Sequence, residues 1–230
     1  MNITSFFIRL FDIILSCVAI VVLFPFMLPI MIILKLTGEH DVFYKQKRIG
    51  RYGREFYVLK FATMLKNSSS MEGGYFTLKN DPRILPTGGF LRKTKINELP
   101  QLFNIFIGQM SIVGYRPLVK SSYEQYNDET KQAIFCFRPG LSSIGSIIFR
   151  TEEKILENFI EKNKFYDEII LPYKGKLETW YIRENNISNY FKVIFVTIIC
   201  VIKPTSRIYE KIFLGLPSSP KELLPYLRQK

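Results

Sequence analysis

The sequence predicts a mixed α/β, helix-rich protein with an N-terminal helix embedded in a membrane. Three observations carry this. Ile13 to Leu34 holds no charged residue. Two short runs rich in aromatic and β-branched residues flank a basic turn with glycines, the pattern of a small sheet. Downstream, several segments place apolar residues at helical spacing. The expected division is a membrane-embedded helix over 1–38 and a domain over 39–230.

The uncharged segment is long enough, at about 1.5 Å per residue, to reach roughly 30 Å, the thickness of a hydrocarbon core. It is too long for a cleavable signal peptide and lacks the small-residue cleavage pattern. Pro25 and Pro29 interrupt it. Each removes a backbone donor and crowds the preceding turn, so a kink is expected. On the residues alone, a bent span is the expected outcome. Lys35, Lys45, Lys47, Arg48, Arg51 and Arg54 follow the segment, whereas Arg9 precedes it. The positive-inside rule therefore places the following domain in the cytoplasm.

Val42 to Tyr44 and Glu55 to Phe61 read as strands around a turn at Arg48 to Arg54. Asn67 to Gly74 reads as a polar loop, and Asp81-Pro82 and Thr87 to Gly89 as turns. A helix is expected from Phe90 to about Arg92. Asn97 reads as the N-cap of a second helix, with Glu98, Pro100 and Gln101 in its first turn. That helix should bury Leu99, Leu102, Phe103 and Phe106 and end at Gly108. Tyr123 to Phe137, Glu152 to Asp167 and Lys176 to Arg183 are further expected helices. Val193 to Ile202 is apolar but half the length of a span, so it fits a core helix and a membrane-facing helix equally.

The 230 residues carry a net charge of +12. Such a balance calls for acidic partners: nucleic acid, anionic lipid or phosphorylated ligands. The apolar N-terminus favours the membrane, and no nucleic-acid module is recognisable. Cys17, Cys136 and Cys200 are far apart and form no disulfide framework or metal spacing. They are expected to be buried thiols. With His40 the sole histidine, neither a Ser-His-Asp triad nor a multi-histidine metal site is expected within one chain.

The most informative stretch is Leu91 to Pro117, LRKTKINELPQLFNIFIGQMSIVGYRP. It resembles the core motif of the bacterial sugar transferases, the monotopic polyprenol-phosphate phosphoglycosyl transferases. The resemblance extends over most of the chain. It includes the Phe11-Asp12 pair, the basic stretch YKQKRIGRYGREFYVLKFATM from Tyr44, FRPGL from Phe137, FRTEEKIL from Phe149 and LPYKGKLETWYI from Leu171. It implies a kinked re-entrant helix in place of a span, with a cytoplasmic catalytic-type domain at the bacterial inner membrane. Pro25 matches the Pro of the family's Ser-Pro kink, while Phe24 stands where the Ser would be.

The resemblance also implies a chemistry. Family members use an Asp carboxylate, followed by Glu, to attack the sugar-linked phosphate of a UDP-sugar, usually with Mg²⁺. A polyprenol phosphate then takes the sugar phosphate. Here the pair is Asn97 and Glu98, so the carboxylate at the first position is replaced by a neutral amide, a poor nucleophile and a weaker metal ligand. Glu98 remains as a candidate catalytic residue and Mg²⁺ ligand. Arg116 and Arg138 match arginines of two motifs and are candidates for donor phosphates, with Lys60, Arg48 and Arg92 as weaker ones. Gln109 stands for an Asp, Ala62 for an Arg or Lys, and Tyr115 for a Pro. For Glu152 and Glu153 an exposed helix face is expected.

Two functions follow. The first is transfer of a sugar phosphate from a UDP-sugar to undecaprenyl phosphate, starting exopolysaccharide, capsule or O-antigen assembly. The alternative is a catalytically silent paralogue that binds nucleotide sugar or lipid, or scaffolds an active partner. A homodimer is left open by the sequence.

Overall fold

The computed structural model describes residues 3–68 and 81–227. The expected polar loop over Asn67–Gly74 lies outside the described residues from position 69 onward.

Helix α1 runs over Ile3–Leu36, 34 residues, and stays one helix through Pro25 and Pro29. Neither proline can donate to the carbonyl four residues back. The two missing hydrogen bonds are one turn apart and lie on one face, which favours a bend there. The outer face of α1 is apolar and exposed at Phe6, Val18, Val21, Phe26 and Ile32. The inner face packs on the domain along its length. Ile8 joins the core of Val113 and Ile144. Ala19, Ile20 and Leu23 lie on Phe56, Leu102 and Ile105. Met27 and Leu34 pack with Phe61 and Leu91.

Two polar contacts reinforce the seam. Arg9 donates to the Ile105 and Phe106 carbonyls at 2.7 and 2.8 Å. The buried Asp12 carboxylate accepts from the Ser111 hydroxyl, the Ile112 N–H and the Tyr190 hydroxyl at 3.0, 2.9 and 2.9 Å. A straight helix of this length is roughly 50 Å long. One domain grips it near both ends, so it does not leave that domain to cross a bilayer alone. The packing is compatible with a monotopic anchor, against the bent span that the residues alone suggested. A thiol introduced by Ile3→Cys should therefore be labelled by an impermeant maleimide from the same side as one introduced by Glu157→Cys. Cys17 and Cys136 must first be changed to Ser. Labelling from opposite sides would restore the span.

Strands β1 (Phe43–Ile49) and β2 (Glu55–Phe61) form an antiparallel hairpin, Phe43 opposite Phe61 and Ile49 opposite Glu55. β1 is longer than the expected Val42 to Tyr44: it continues through Lys45 and Lys47 and takes in Arg48, which was expected in the turn. Beyond α2 (Gly88–Lys93) come α3 (Gln101–Phe106) and β3 (Ser111–Val113). Helices α4 (Lys120–Glu124) and α5 (Asp128–Phe135) precede β4 (Gly140–Ser142), which pairs parallel with β3. Then follow α6 (Ile144–Ile148), α7 (Glu152–Leu156), α8 (Lys162–Phe165), α9 (Leu171–Arg183) and α10 (Ile187–Ile202). Small sheets in a helix-rich chain are the architecture expected.

Several details differ. The helix expected over Tyr123–Phe137 divides at Asn127, whose side chain caps α5 by accepting from the Thr130 N–H. α9 begins five residues earlier than expected and follows directly on a π-helical turn, Tyr166–Ile170, with Pro172 at the junction. Phe106 is exposed and Ile105 fully buried, so α3 is rotated from the expected register. Glu152 is not on a free face but pairs with the buried Lys174 at 2.7 Å. Cys200 is buried as expected, but Cys17 and Cys136 are exposed. α10 meets both readings offered for it. Tyr190, Val193, Val196 and Cys200 are buried, while Phe191, Phe195, Ile198 and Val201 are exposed.

Candidate functional site

The site forms where β2, the segment before α3, and the turn after β3 meet. Lys60 projects from β2 and its ammonium lies 3.2 Å from the Glu98 carboxylate. A small cavity there is lined by Arg48, Lys60, Glu98, Gln101, Arg116 and the backbone around Gly140. Asn104 holds the two sides together. Its side chain accepts from the Leu59 N–H at 2.9 Å and donates to the Tyr57 carbonyl and to Gln109 at 2.8 and 2.7 Å. It welds α3 to β2, so Glu98 and Lys60 keep their spacing.

Glu98 is the acid at the centre of a cationic ring. Burial opposes its ionisation, but Lys60, Arg116 and Lys95 outweigh burial and hold the carboxyl down at about 2. Burial pushes Lys60 down to about 8. Glu98 pulls it back up, and Arg116 and Arg48 add to the fall. Arg48 is lowered to about 10, by burial first and Arg116 second. It donates to the Pro117 carbonyl at 3.2 Å and the Gln46 side chain at 2.5 Å. Arg116 is exposed, with one long contact to Ser146 at 3.3 Å. Its own N–H faces the buried Glu178 carboxylate, whose proton affinity burial raises to about 7. Arg92 is half-buried, and burial lowers its pKa.

Asn97 is not the N-cap that the sequence suggested. Lys95 adopts a left-handed turn at φ 62°, and a short 3-10 segment, Ile96–Glu98, follows it. α3 starts only at Gln101, behind Pro100. The 3-10 turn points Asn97 inward, 6% exposed, and its amide oxygen has no hydrogen-bond partner among the described residues. Leaving such an oxygen unpaired costs about 1–3 kcal/mol. The amide is thus sealed as well as chemically inert, and Glu98 is the carboxylate that faces the cavity.

The structure gathers Lys60, Arg48 and Arg116 about Glu98, while Arg92 lies outside the cavity lining, nearer in charge to Glu153 and Asp81. It places Arg138 elsewhere: its Nε donates to the Gly108 carbonyl at 2.8 Å, among Arg51 and Arg9. Lys95 and Arg150, which the sequence reading missed, both feel the Glu98 charge. A left-handed lysine beside the acid carries no signal in sequence. Gln109 is exposed and bound to Asn104, and Ala62 is backbone-paired with Val42, so neither departure lies in the cavity.

Among the described residues, no three His, Cys, Asp or Glu side chains converge as a metal site. Glu98, already paired with Lys60, cannot hold a divalent ion alone. One carboxylate together with the oxygens of a bound diphosphate is, however, an ordinary Mg²⁺ donor set.

The family profile described as bacterial sugar transferase matches residues 3–204. The exopolysaccharide production protein ExoY of Rhizobium meliloti is 36% identical over 160 residues, covering 63% of this chain and 70% of its own length. The UDP-glucose:undecaprenyl-phosphate glucose-1-phosphate transferase of Klebsiella pneumoniae is 34% identical over 202 residues, 86% of this chain and 40% of its own. The undecaprenyl-phosphate galactose phosphotransferase of Salmonella typhimurium is 29% identical over 209 residues, 85% of this chain and 40% of its own. The chain thus spans 40% of the length of these last two relatives. With the match running from the start of α1 to just beyond α10, through the hairpin and the ring of cations about Glu98, the chain belongs to the bacterial sugar transferase family.

Proposed function

We propose that the cationic surface at the mouth of this cavity takes the diphosphate of a UDP-sugar, and that the chain serves transfer of the sugar phosphate to undecaprenyl phosphate. The reaction would start exopolysaccharide assembly at the cytoplasmic face of the inner membrane. One observation carries this reading: an ionised carboxylate ringed by Lys60, Arg48, Arg116 and Lys95 beside a membrane-anchoring helix. Cations at that density neutralise a diphosphate and stabilise the charge that develops as the phosphoryl group moves. The names of the relatives support the donor and acceptor.

In the covalent route, a carboxylate oxygen attacks the sugar-linked phosphorus, and the bond to UMP breaks with its electron pair on UMP. An oxygen of undecaprenyl phosphate then attacks that phosphorus and releases the carboxylate. Asn97 cannot open this route, so it falls to Glu98, whose affinity for electrophiles is weakened by its ion pair. Turnover is accordingly slow. Mg²⁺, arriving with the donor, would supply further charge neutralisation, with Glu98 as its protein ligand. The sealed amide of Asn97 favours a second reading, in which the chain binds donor and lipid without turnover.

Donor binding has a distinctive pH dependence. A bound diphosphate favours the Lys60 ammonium, and the free protein loses that proton as pH rises through about 8. Glu98 stays ionised throughout. Affinity for an intact UDP-sugar, whose diphosphate has no group that titrates in this range, should fall by up to about tenfold per unit as pH rises above 8. Lys60→Met should remove the fall. Calorimetry tests both statements. A level profile in the unmodified protein would put Lys60 outside the donor site, and no UDP-sugar binding at any pH would overturn the proposed function.

A further inference from the structure

The geometry points to a second anion site, built from Arg9, Arg51 and Arg138, that holds the phosphodiester headgroup of an anionic membrane lipid. It goes beyond the transfer reaction and does not depend on it.

The three guanidiniums come from distant parts of the chain: Arg9 and Arg138 meet at Gly108, and Arg51 lies close enough to act on Arg138. Arg138 Nε donates to the Gly108 carbonyl at 2.8 Å. The Arg9 guanidinium lies against the same residue: a Cβ on Gly108 would sit 3.2 Å from its Nη2. Arg51 Nε donates to the carbonyl of Cys136, two residues before Arg138, at 2.8 Å. Backbone carbonyls therefore fix all three side chains, a positioning that mobile surface arginines lack. Gly108 has a φ of 91°, which admits glycine readily and leaves room for Arg9.

The charges are not neutralised. None of the three forms a salt bridge, and the Nη groups of Arg51 and Arg138 have no hydrogen-bond partner, among the described residues. The acid that Arg9 and Arg138 feel is Asp12, which is buried and already accepts three hydrogen bonds. Arg138 and its two neighbours repel one another, in keeping with a lowered pKa at Arg138, where burial is the larger cause. Three fixed like charges without a counter-ion are costly unless an anion joins them.

The rim says which anion. On one side Phe106, Ile107 and Leu10 are exposed, at 43, 63 and 40%. On the other, Tyr52 and Phe135 stack edge to face at 5.7 Å and are exposed at 44 and 45%, with the Arg51 guanidinium over the Tyr52 ring. Leu10 continues into the exposed apolar face of α1. Cations framed by aromatic and aliphatic side chains suit the headgroup level of a bilayer. A soluble phosphate would have no use for the apolar rim. A zwitterionic lipid would bring a cation that finds no carboxylate here.

The test is native mass spectrometry of the full chain in detergent, with phosphatidylglycerol or phosphatidylcholine of matched acyl chains. We expect a one-to-one phosphatidylglycerol adduct, at least about fivefold favoured over phosphatidylcholine and unaffected by millimolar inorganic phosphate. Arg51→Gln should weaken it about fivefold, the scale of one interfacial cation. Arg51→Lys should weaken it less, and Lys176→Gln, an equal charge loss on α9, should not. Equal adducts with both lipids would overturn the proposal without any variant. So would displacement by inorganic phosphate, or a loss in Lys176→Gln matching that in Arg51→Gln.

Discussion

Asn97→Asp is expected to raise UMP release from UDP-sugars, with undecaprenyl phosphate as acceptor, by about a hundredfold or more. That is the scale on which removal of a reacting group acts in other enzymes. The position lies next to Glu98 in the 3-10 turn but is buried and outside the cavity lining, so the gain requires that turn to swing the new carboxylate toward the donor and toward Lys60, Lys95 and Arg116, which act on Glu98. Those cations would help hold a second carboxylate ionised. Helix capping plays no part, because Asn97 caps nothing. Neither Ala62 nor Gln109 stands in the cavity to block the gain. The assay is nucleotide release across a panel of UDP-sugars with Mg²⁺. Fast release by the unmodified chain that survives Glu98→Gln would refute the slow carboxylate route and leave direct attack by the lipid phosphate. UDP binding without lipid-linked product in either form would make the chain a silent binder.

Arg116→Ala should weaken UDP-sugar binding by about 1.5–3 kcal/mol, the worth of charge-assisted hydrogen bonds from a guanidinium to phosphate. The side chain is exposed at the cavity wall and held by a single 3.3 Å contact to Ser146. It is therefore available to a ligand and contributes little to the fold. The melting temperature should barely move, whereas calorimetry should register roughly a tenfold to hundredfold weaker donor. Unchanged affinity in a folded variant would reduce Arg116 to a surface charge.

The resemblance was legible because its motifs are continuous in the chain. Leu91 to Pro117 alone carries Glu98, Arg116 and Asn104, although only contact with Leu59 and Tyr57 shows why Asn104 is there. Arg138 shows the opposite case. Its motif suggested a donor phosphate, but its guanidinium is turned to Gly108 by a contact across 30 residues. Asn97 reads as a cap in any local scheme. The left-handed turn at Lys95 overrides that by delaying α3 to Gln101.

By itself, the sequence determined what depends on neighbouring residues: an apolar helix of membrane length, a basic hairpin, the family, and an amide, Asn97, directly before the acid Glu98. The tertiary structure decided what depends on residues brought together from afar. It bound α1 to the rest of the chain near both ends, because Ile8 and Leu34 bury in two separate apolar clusters that α1 bridges. It also sorted the arginines into two sets, one around Glu98 and one around Gly108, because direction as well as position decides which charge a side chain meets.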